Sequence, residues 1–247
     1  MSVDYNYTLN THALEGPRKA FSSLLPGSLP SSVLDVGCCT GTWLRAALDA
    51  GVAQVVGIDG VDIPEDQLLI PRECFLLRDL TTAVDLGRRF DLVICLEVAE
   101  HLDVKHADTL IHTLTLHSDC IVFSAAAPNQ PGQHHVNCEP PSTWQKRFNK
   151  LGFACDDEVR WRLWNEACLE PWYRQNIFIA RNDPQRASKE PRINTVIHPD
   201  LFGQLVPDPA VARIESGRMP TKWYLELLGK ALNSKVRRHR GATICSS

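Results

Sequence analysis

The feature that most constrains how this chain folds is a series of short, continuous apolar runs, each ended by a turn or an acid. The runs are Val33–Val36, Val55–Ile58, Cys74–Leu77, Phe90–Leu96 and Ile121–Ser124. Helical stretches lie between them, the clearest from Val104 to Leu116. Short apolar strands alternating with helices imply a parallel sheet buried on both faces, hence an α/β fold. Further along, Ser142–Leu151 predicts a helix and Asn176–Ala180 a closing strand. At the ends, His12–Leu25 predicts a short helix interrupted near Gly16-Pro17. Thr221–Arg240 predicts a terminal helix with Trp223, Leu227, Leu228, Ala231 and Leu232 on one side.

The first run enters the segment Val33-Leu34-Asp35-Val36-Gly37-Cys38-Cys39-Thr40-Gly41-Thr42-Trp43. A strand, a glycine turn and a helix in that order put backbone amides and a helix N-terminus beside a ligand, with glycines allowing close backbone approach. The G-x-G-x-x-G dinucleotide fingerprint is absent, because only Gly37 and Gly41 stand in the turn. Asp35 would also repel a pyrophosphate. A carboxylate there suits a ligand carrying a cation. Asp59 ends the second run and Asp79 follows the third. In a doubly wound sheet, ligands lie at the carboxyl ends of the strands, where these three acids would face one crevice.

The turn resembles the first motif of class I S-adenosylmethionine-dependent methyltransferases, of the form D-x-G-x-G-x-G. Asp35, Gly37 and Gly41 match it, and Cys39 stands at the middle glycine, a change expected to be tolerated with φ negative. The segment Phe90-Asp91-Leu92-Val93-Ile94-Cys95-Leu96-Glu97-Val98-Ala99-Glu100-His101-Leu102 resembles the fourth motif of the small-molecule type, with its E-V-x-E-H-L ending. The resemblance covers about residues 30–181. It implies a Rossmann-like, seven-stranded, mostly parallel sheet with helices on both faces and an antiparallel last strand. It also implies S-adenosyl-L-methionine as cofactor, held by Asp35, Gly37, Cys38, Gly41, Asp59, Asp79, Leu80 and Glu97. Asp59 would take the ribose hydroxyls, and Asp79 with the Leu80 amide would take the adenine.

Methyl transfer is an in-line substitution at a sulfonium carbon, so alignment and exclusion of water dominate, and a general base helps when the acceptor is a hydroxyl. The catalytic candidates are His101, His135 and Asn137. The latter two lie on the loop Gly132-Gln133-His134-His135-Val136-Asn137, where relatives carry a Gly-His-x-Asn-like stretch; His134 is the alternative to His135. If residues 97–101 are helical, Glu97, Glu100 and His101 share a face. Some methyltransferases with a similar Glu-x-x-Glu-His segment use a metal completed by a later histidine, which would make Glu97, Glu100, His101 and His135 a possible ligand set. The competing reading pairs Glu100 with His101 and sets Glu97 behind the cofactor. Trp161, Trp164, Trp172 and Tyr173 would form either an acceptor wall or core.

The net charge of −3 gives no electrostatic footprint for nucleic acid. The chain shows neither a secretory signal nor an apolar run long enough for a membrane span. The 9 cysteines lack zinc-ligand spacing and read as reduced thiols, which predicts a cytoplasmic protein. Three segments are expected: a helix or lid over 1–30, the methyltransferase domain over 31–181, and an extension over 182–247. The leading functional expectation is transfer to a small-molecule oxygen. The alternatives are an RNA or peptide acceptor, motivated by the metal set and the basic run Lys235–Arg240, and a non-catalytic cofactor-binding protein, motivated by Cys39.

Overall fold

The computed structural model describes residues 6–9, 13–25, 27, 29–202, 213–214 and 216–230. The chain divides into two compact units, Met1–Leu205 and Val206–Ser247. The first therefore extends past the expected boundary at 181. The reason is visible in the contacts of the 190s: the Gln145 side chain donates to the Pro191 carbonyl at 3.0 Å and accepts from the Ile193 amide at 2.9 Å.

The first unit holds a seven-stranded sheet in the order β3-β2-β1-β4-β5-β7-β6. Its strands are β1 (Ser32–Val36), β2 (Gln54–Asp59), β3 (Phe75–Leu77), β4 (Leu92–Leu96), β5 (Cys120–Ser124), β6 (Phe153–Asp156) and β7 (Phe178–Asn182). Strand β7 runs antiparallel to both β5 and β6, and the pairings among β1 to β5 are parallel. The helices are α1 (Glu15–Leu24), α2 (Thr42–Asp49), α3 (Ala107–His117), α4 (Pro141–Lys150), α5 (Glu158–Leu163) and α6 (Pro171–Asn176).

Period-two alternation divides the sheet's side chains between two cores. On β4, Val93 and Cys95 join Leu110, Ile111 and Leu114 of α3 and Trp144 and Phe148 of α4. Leu92, Ile94 and Leu96 face the other way, to Ala20, Phe21 and Leu24 of α1, Leu44 and Ala47 of α2, and Val159 and Leu163 of α5. Helices thus cover both faces, which is why the strands read as unbroken apolar runs.

Several local expectations change. Helix α1 is not interrupted, because Pro17 falls in its first turn, where a missing amide costs nothing. Gly16 packs so closely on Cys168 and Leu169 that a β-carbon would overlap their backbone. Val104–His106 is a 3-10 turn before α3. Asn176 ends α6 rather than opening the last strand, and α5, α6 and edge strand β6 carry no strong period in the sequence. In the second unit, 221–230 is helical, with Leu227 and Leu228 40% and 56% exposed. Tyr5, His12 and the basic run 235–240 lie outside the described residues.

Candidate functional site

The chain builds β1, β2 and β3 outward, then returns to lay β4 beside β1. That reversal opens a crevice at the carboxyl ends of β1 and β4, the place where open α/β sheets bind ligands. A pocket of about 590 Å³ lies there, within the range of small-molecule sites. Asp35, Asp59 and Asp79 all line it, together with Gly37, Cys38, Leu80 and Glu97. The strand tips thus converge on one cavity. Gly41 is the N-cap of α2 beside it.

The turn after β1 is held to β2 by its own backbone: the Gly37 and Cys38 amides donate to the Ile58 carbonyl at 2.8 and 3.2 Å. Gly37 has φ +81, and a β-carbon on it would overlap Val98. Gly41 has φ +83. Cys39 departs from expectation, with φ +48 rather than a negative value. The turn needs the left-handed conformation that a glycine would adopt freely. Asp59 supports the strained residue, its Oδ2 accepting from the Cys39 amide at 2.7 Å while Oδ1 accepts from Val61 at 2.8 Å.

Charge at this end suits a cation. Burial, and secondly the Asp59 carboxylate, push the Asp35 carboxyl up to about 8. Burial also raises Asp59, against the opposing pull of the backbone amides it accepts from. Exposed Asp79 is lowered, first by the Thr81 hydroxyl, which donates to Oδ1 at 2.6 Å. Two neighbouring buried carboxyls with depressed acidity are what a positively charged ligand would relieve.

The other end of the pocket is built by the segments after β4, after β5 and before β7. Glu97, at φ +55, receives Gln130 Nε2 on Oε2 at 2.8 Å and Asn176 Nδ2 on Oε1 at 3.1 Å. Asn176 Nδ2 also donates to Gln130 Oε1 at 2.8 Å, closing a three-residue polar network. Burial still lifts Glu97 to about 7. Residues 99–101 form a 3-10 turn, so the expected helical face of Glu97, Glu100 and His101 does not exist as such. The turn brings Glu100 and His101 instead to His135: one ligand atom from each lies within 4.8 Å of the others. Glu97 lies outside that group. Glu100, His101 and His135 all line the pocket; His134 is exposed, with φ +48, and does not line it. Asn137 is buried and donates to the Ala99 carbonyl at 3.4 Å, supporting the turn rather than lining the cavity. Burial lowers His101 to about 4 and lowers His135 as well, so both imidazoles are neutral near pH 7.

The aromatic cluster divides. Trp172 and Tyr173 line the pocket, and Tyr173 meets Trp43 edge-on with centroids 5.4 Å apart. Trp161 is 52% exposed, while Trp164 packs on His198 at 4.5 Å. Sequence reasoning missed Gln130 and Thr42 as pocket residues and Asn176 as the partner of Glu97. The only local signal was polarity beside a predicted strand end.

Among the described residues, no helix is long and apolar enough to cross a membrane. A family model described as a methyltransferase domain matches residues 9–158. No curated protein matches the chain. Among solved structures, the methyltransferase domain of bacterial CtHen1-C is similar at 16% identity, with a TM-score of 0.50, covering 69% of this chain and 100% of that one. The plantazolicin methyltransferase BpumL in complex with SAH is 15% identical, with a TM-score of 0.49, covering 68% and 83%. A SAM-dependent methyltransferase from Archaeoglobus fulgidus is 19% identical, with a TM-score of 0.47, covering 68% and 94%. At these identities the likeness is one of fold.

Proposed function

This chain belongs to the methyltransferase domain family, the S-adenosylmethionine-dependent enzymes of class I, and from that premise we propose that it methylates an oxygen of a small-molecule acceptor. The observation that carries the reading is the shared cavity, with carboxyls of three successive strand tips at one end and two neutral imidazoles at the other. The first end fits the donor. Asp35 is a buried carboxyl that a cationic amino group would restore to its ionised form, and Gly37 leaves the backbone open to close approach.

The donor, when bound, supplies an electrophilic methyl group. The chain's own residues then have three tasks. Asp35 would take the donor's ammonium, with Asp59 and Asp79 toward its ribose and adenine. Trp172, Tyr173 and the loop after β5 would exclude water and hold the acceptor. His101 or His135, neutral because buried, would accept the hydroxyl proton as the oxygen attacks. Asn137 would act by holding the Ala99–His101 turn.

The test has two parts. Calorimetry should detect S-adenosylhomocysteine binding to the wild type, and silence at high ligand concentration defeats the cofactor assignment. Labelled methyl transfer should then favour hydroxylated small molecules over amines, peptides and RNA. Turnover with RNA or a peptide alone would overturn the acceptor class, and turnover with any acceptor eliminates a non-catalytic role.

A further inference from the structure

We propose that Lys19 and Cys168 form a redox-sensitive modification site, at which a hydroperoxide joins the lysine nitrogen to the cysteine sulfur through one bridging oxygen. The bond would clasp α1 to the segment that leads into the aromatic wall of the pocket.

Distance is the first observation. Lys19 Nζ stands 2.8 Å from Cys168 Sγ. That separation is ordinary when nitrogen donates to oxygen, but sulfur is a larger atom and a weak acceptor, so this pair is drawn unusually close. Two single bonds meeting at one oxygen span a distance of the same order. The backbone imposes the approach. Gly16, one turn earlier on α1, lies so near that a β-carbon on it would overlap the Cys168 carbonyl and the Leu169 backbone.

A proton acceptor already in place is the second observation. Glu15 Oε1 lies 2.9 Å from Lys19 Nζ and 3.6 Å from Cys168 Sγ, which completes a cluster of three reactive groups. Exposure is the third. The Lys19 side chain is 47% exposed and Cys168 is half-buried, so a small oxidant reaches both. Reversible cysteine oxidation needs such access and a neighbouring group that traps the first oxidation product. Here the trap is an amine.

The step balances with two molecules of hydrogen peroxide. The Cys168 sulfur attacks the first: an S–O bond forms, the O–O bond breaks, and the thiol proton leaves with the departing oxygen as water. The Lys19 ammonium passes a proton to Glu15, and the freed amine attacks the second peroxide, forming an N–O bond and releasing another water. The hydroxylamine oxygen then displaces the sulfenic hydroxyl from sulfur, which departs as a third water. Sulfur and nitrogen each lose two electrons, and these reduce the two peroxides. The bridge closes a loop of 149 positions. It ties the helix of Pro17 to the residues before Glu170, Trp172 and Tyr173, all of which line the pocket. Oxidation would thus stiffen one wall of the cavity.

The full-length chain is treated with a small excess of hydrogen peroxide, digested, and mapped by mass spectrometry. The expected product is a peptide pair joined at Lys19 and Cys168, heavier than the unlinked pair by about 14 Da, one oxygen in and two hydrogens out. Dithiothreitol should restore both residues. That reversal separates the bridge from lysine methylation, which adds nearly the same mass and survives reduction. Lys19→Met and Cys168→Ser should each form no bridge. The bridged protein should melt about 5 °C or more above the reduced protein, because closing so long a loop restricts the unfolded chain. Peroxide-treated wild type that carries Cys168 only as a thiol, a disulfide or a sulfinic acid, with Lys19 unmodified, overturns the inference. The mass measurement needs no ligand, so a failed donor assignment leaves it standing.

Discussion

The Asn6 backbone amide donates to Gln133 Oε1 at 3.1 Å, and Gln133 Nε2 returns a hydrogen bond to the Asn6 carbonyl at 3.0 Å. This reciprocal pair joins the N-terminal segment to a residue that lines the pocket, across 127 positions of sequence. It gives the expected N-terminal lid a specific point of attachment. Exposed neutral hydrogen bonds contribute about 1 kcal/mol each or less. Gln133→Ala should therefore weaken S-adenosylhomocysteine by roughly 3- to 10-fold, mostly through faster dissociation. Amide exchange at residues 6–9 should rise, with the melting temperature nearly unchanged. Unchanged dissociation would mean that the attachment plays no part in retaining the ligand.

Asp35 couples ligand binding to protons. Its carboxyl sits at about 8 in the ligand-free protein, chiefly because it is buried. Below that pH it carries a proton, which a cationic ligand would displace. Affinity for S-adenosylhomocysteine should thus rise with pH up to about 8. Calorimetry at pH 6.5 in buffers of different ionisation enthalpy should show proton release, and Asp35→Asn should abolish it. The stability sign is opposite. A carboxyl whose folded value is raised contributes stability below its unfolded value of about 4, and that contribution is lost as pH rises through the folded value. Between pH 5 and 9 the wild type should lose more thermal stability than Asp35→Asn does.

The turn after β1 predicts two substitutions of opposite sign. Gly37→Ala forces a side chain into φ +81 and onto Val98, and should cost about 2 kcal/mol or more. Cys39→Gly relieves φ +48 at the cost of extra freedom in the unfolded chain, for a net gain of about 0.5–1 kcal/mol. Thermal denaturation of both variants would check this. A lower melting temperature for Cys39→Gly would show that the thiol's packing outweighs the backbone strain.

Asn176 helps to anchor partly buried Glu97 at the pocket wall. Its amide donates to both Glu97 oxygens and to Gln130. Asn176→Ala removes those donors and should destabilise by about 1–3 kcal/mol. Asn176→Asp places a second carboxyl against the first and should be worse, through like-charge repulsion. Equal melting temperatures for the two variants would count against a charged Glu97.

The strands most legible in the sequence were those buried on both faces. Each of β1, β2, β4 and β5 is a continuous apolar run because two cores claim its alternate side chains. Edge strand β6 was not legible, since Phe153–Asp156 is only 4 residues long and too short to show a period, although Phe153, Ala154 and Cys155 are buried. The carboxyls at the strand tips could be located because strand ends are local features. The polarity of Asn137 pointed to the cavity, while its side chain donates to the Ala99 backbone carbonyl.

The order of strand, turn and helix, and the residues at the glycine turn, follow from the sequence alone, because backbone preference and hydrophobic period act over a few neighbours. Glu100, His101 and His135 were expected together only through the family resemblance, whereas the tertiary structure alone decided that Glu97 stands outside that group and pairs with an asparagine 79 positions away. The sheet order sets β4 beside β5 and β5 beside β7. That adjacency brings their distant loops to one rim, and no local pattern in the chain encodes which of their polar side chains will meet.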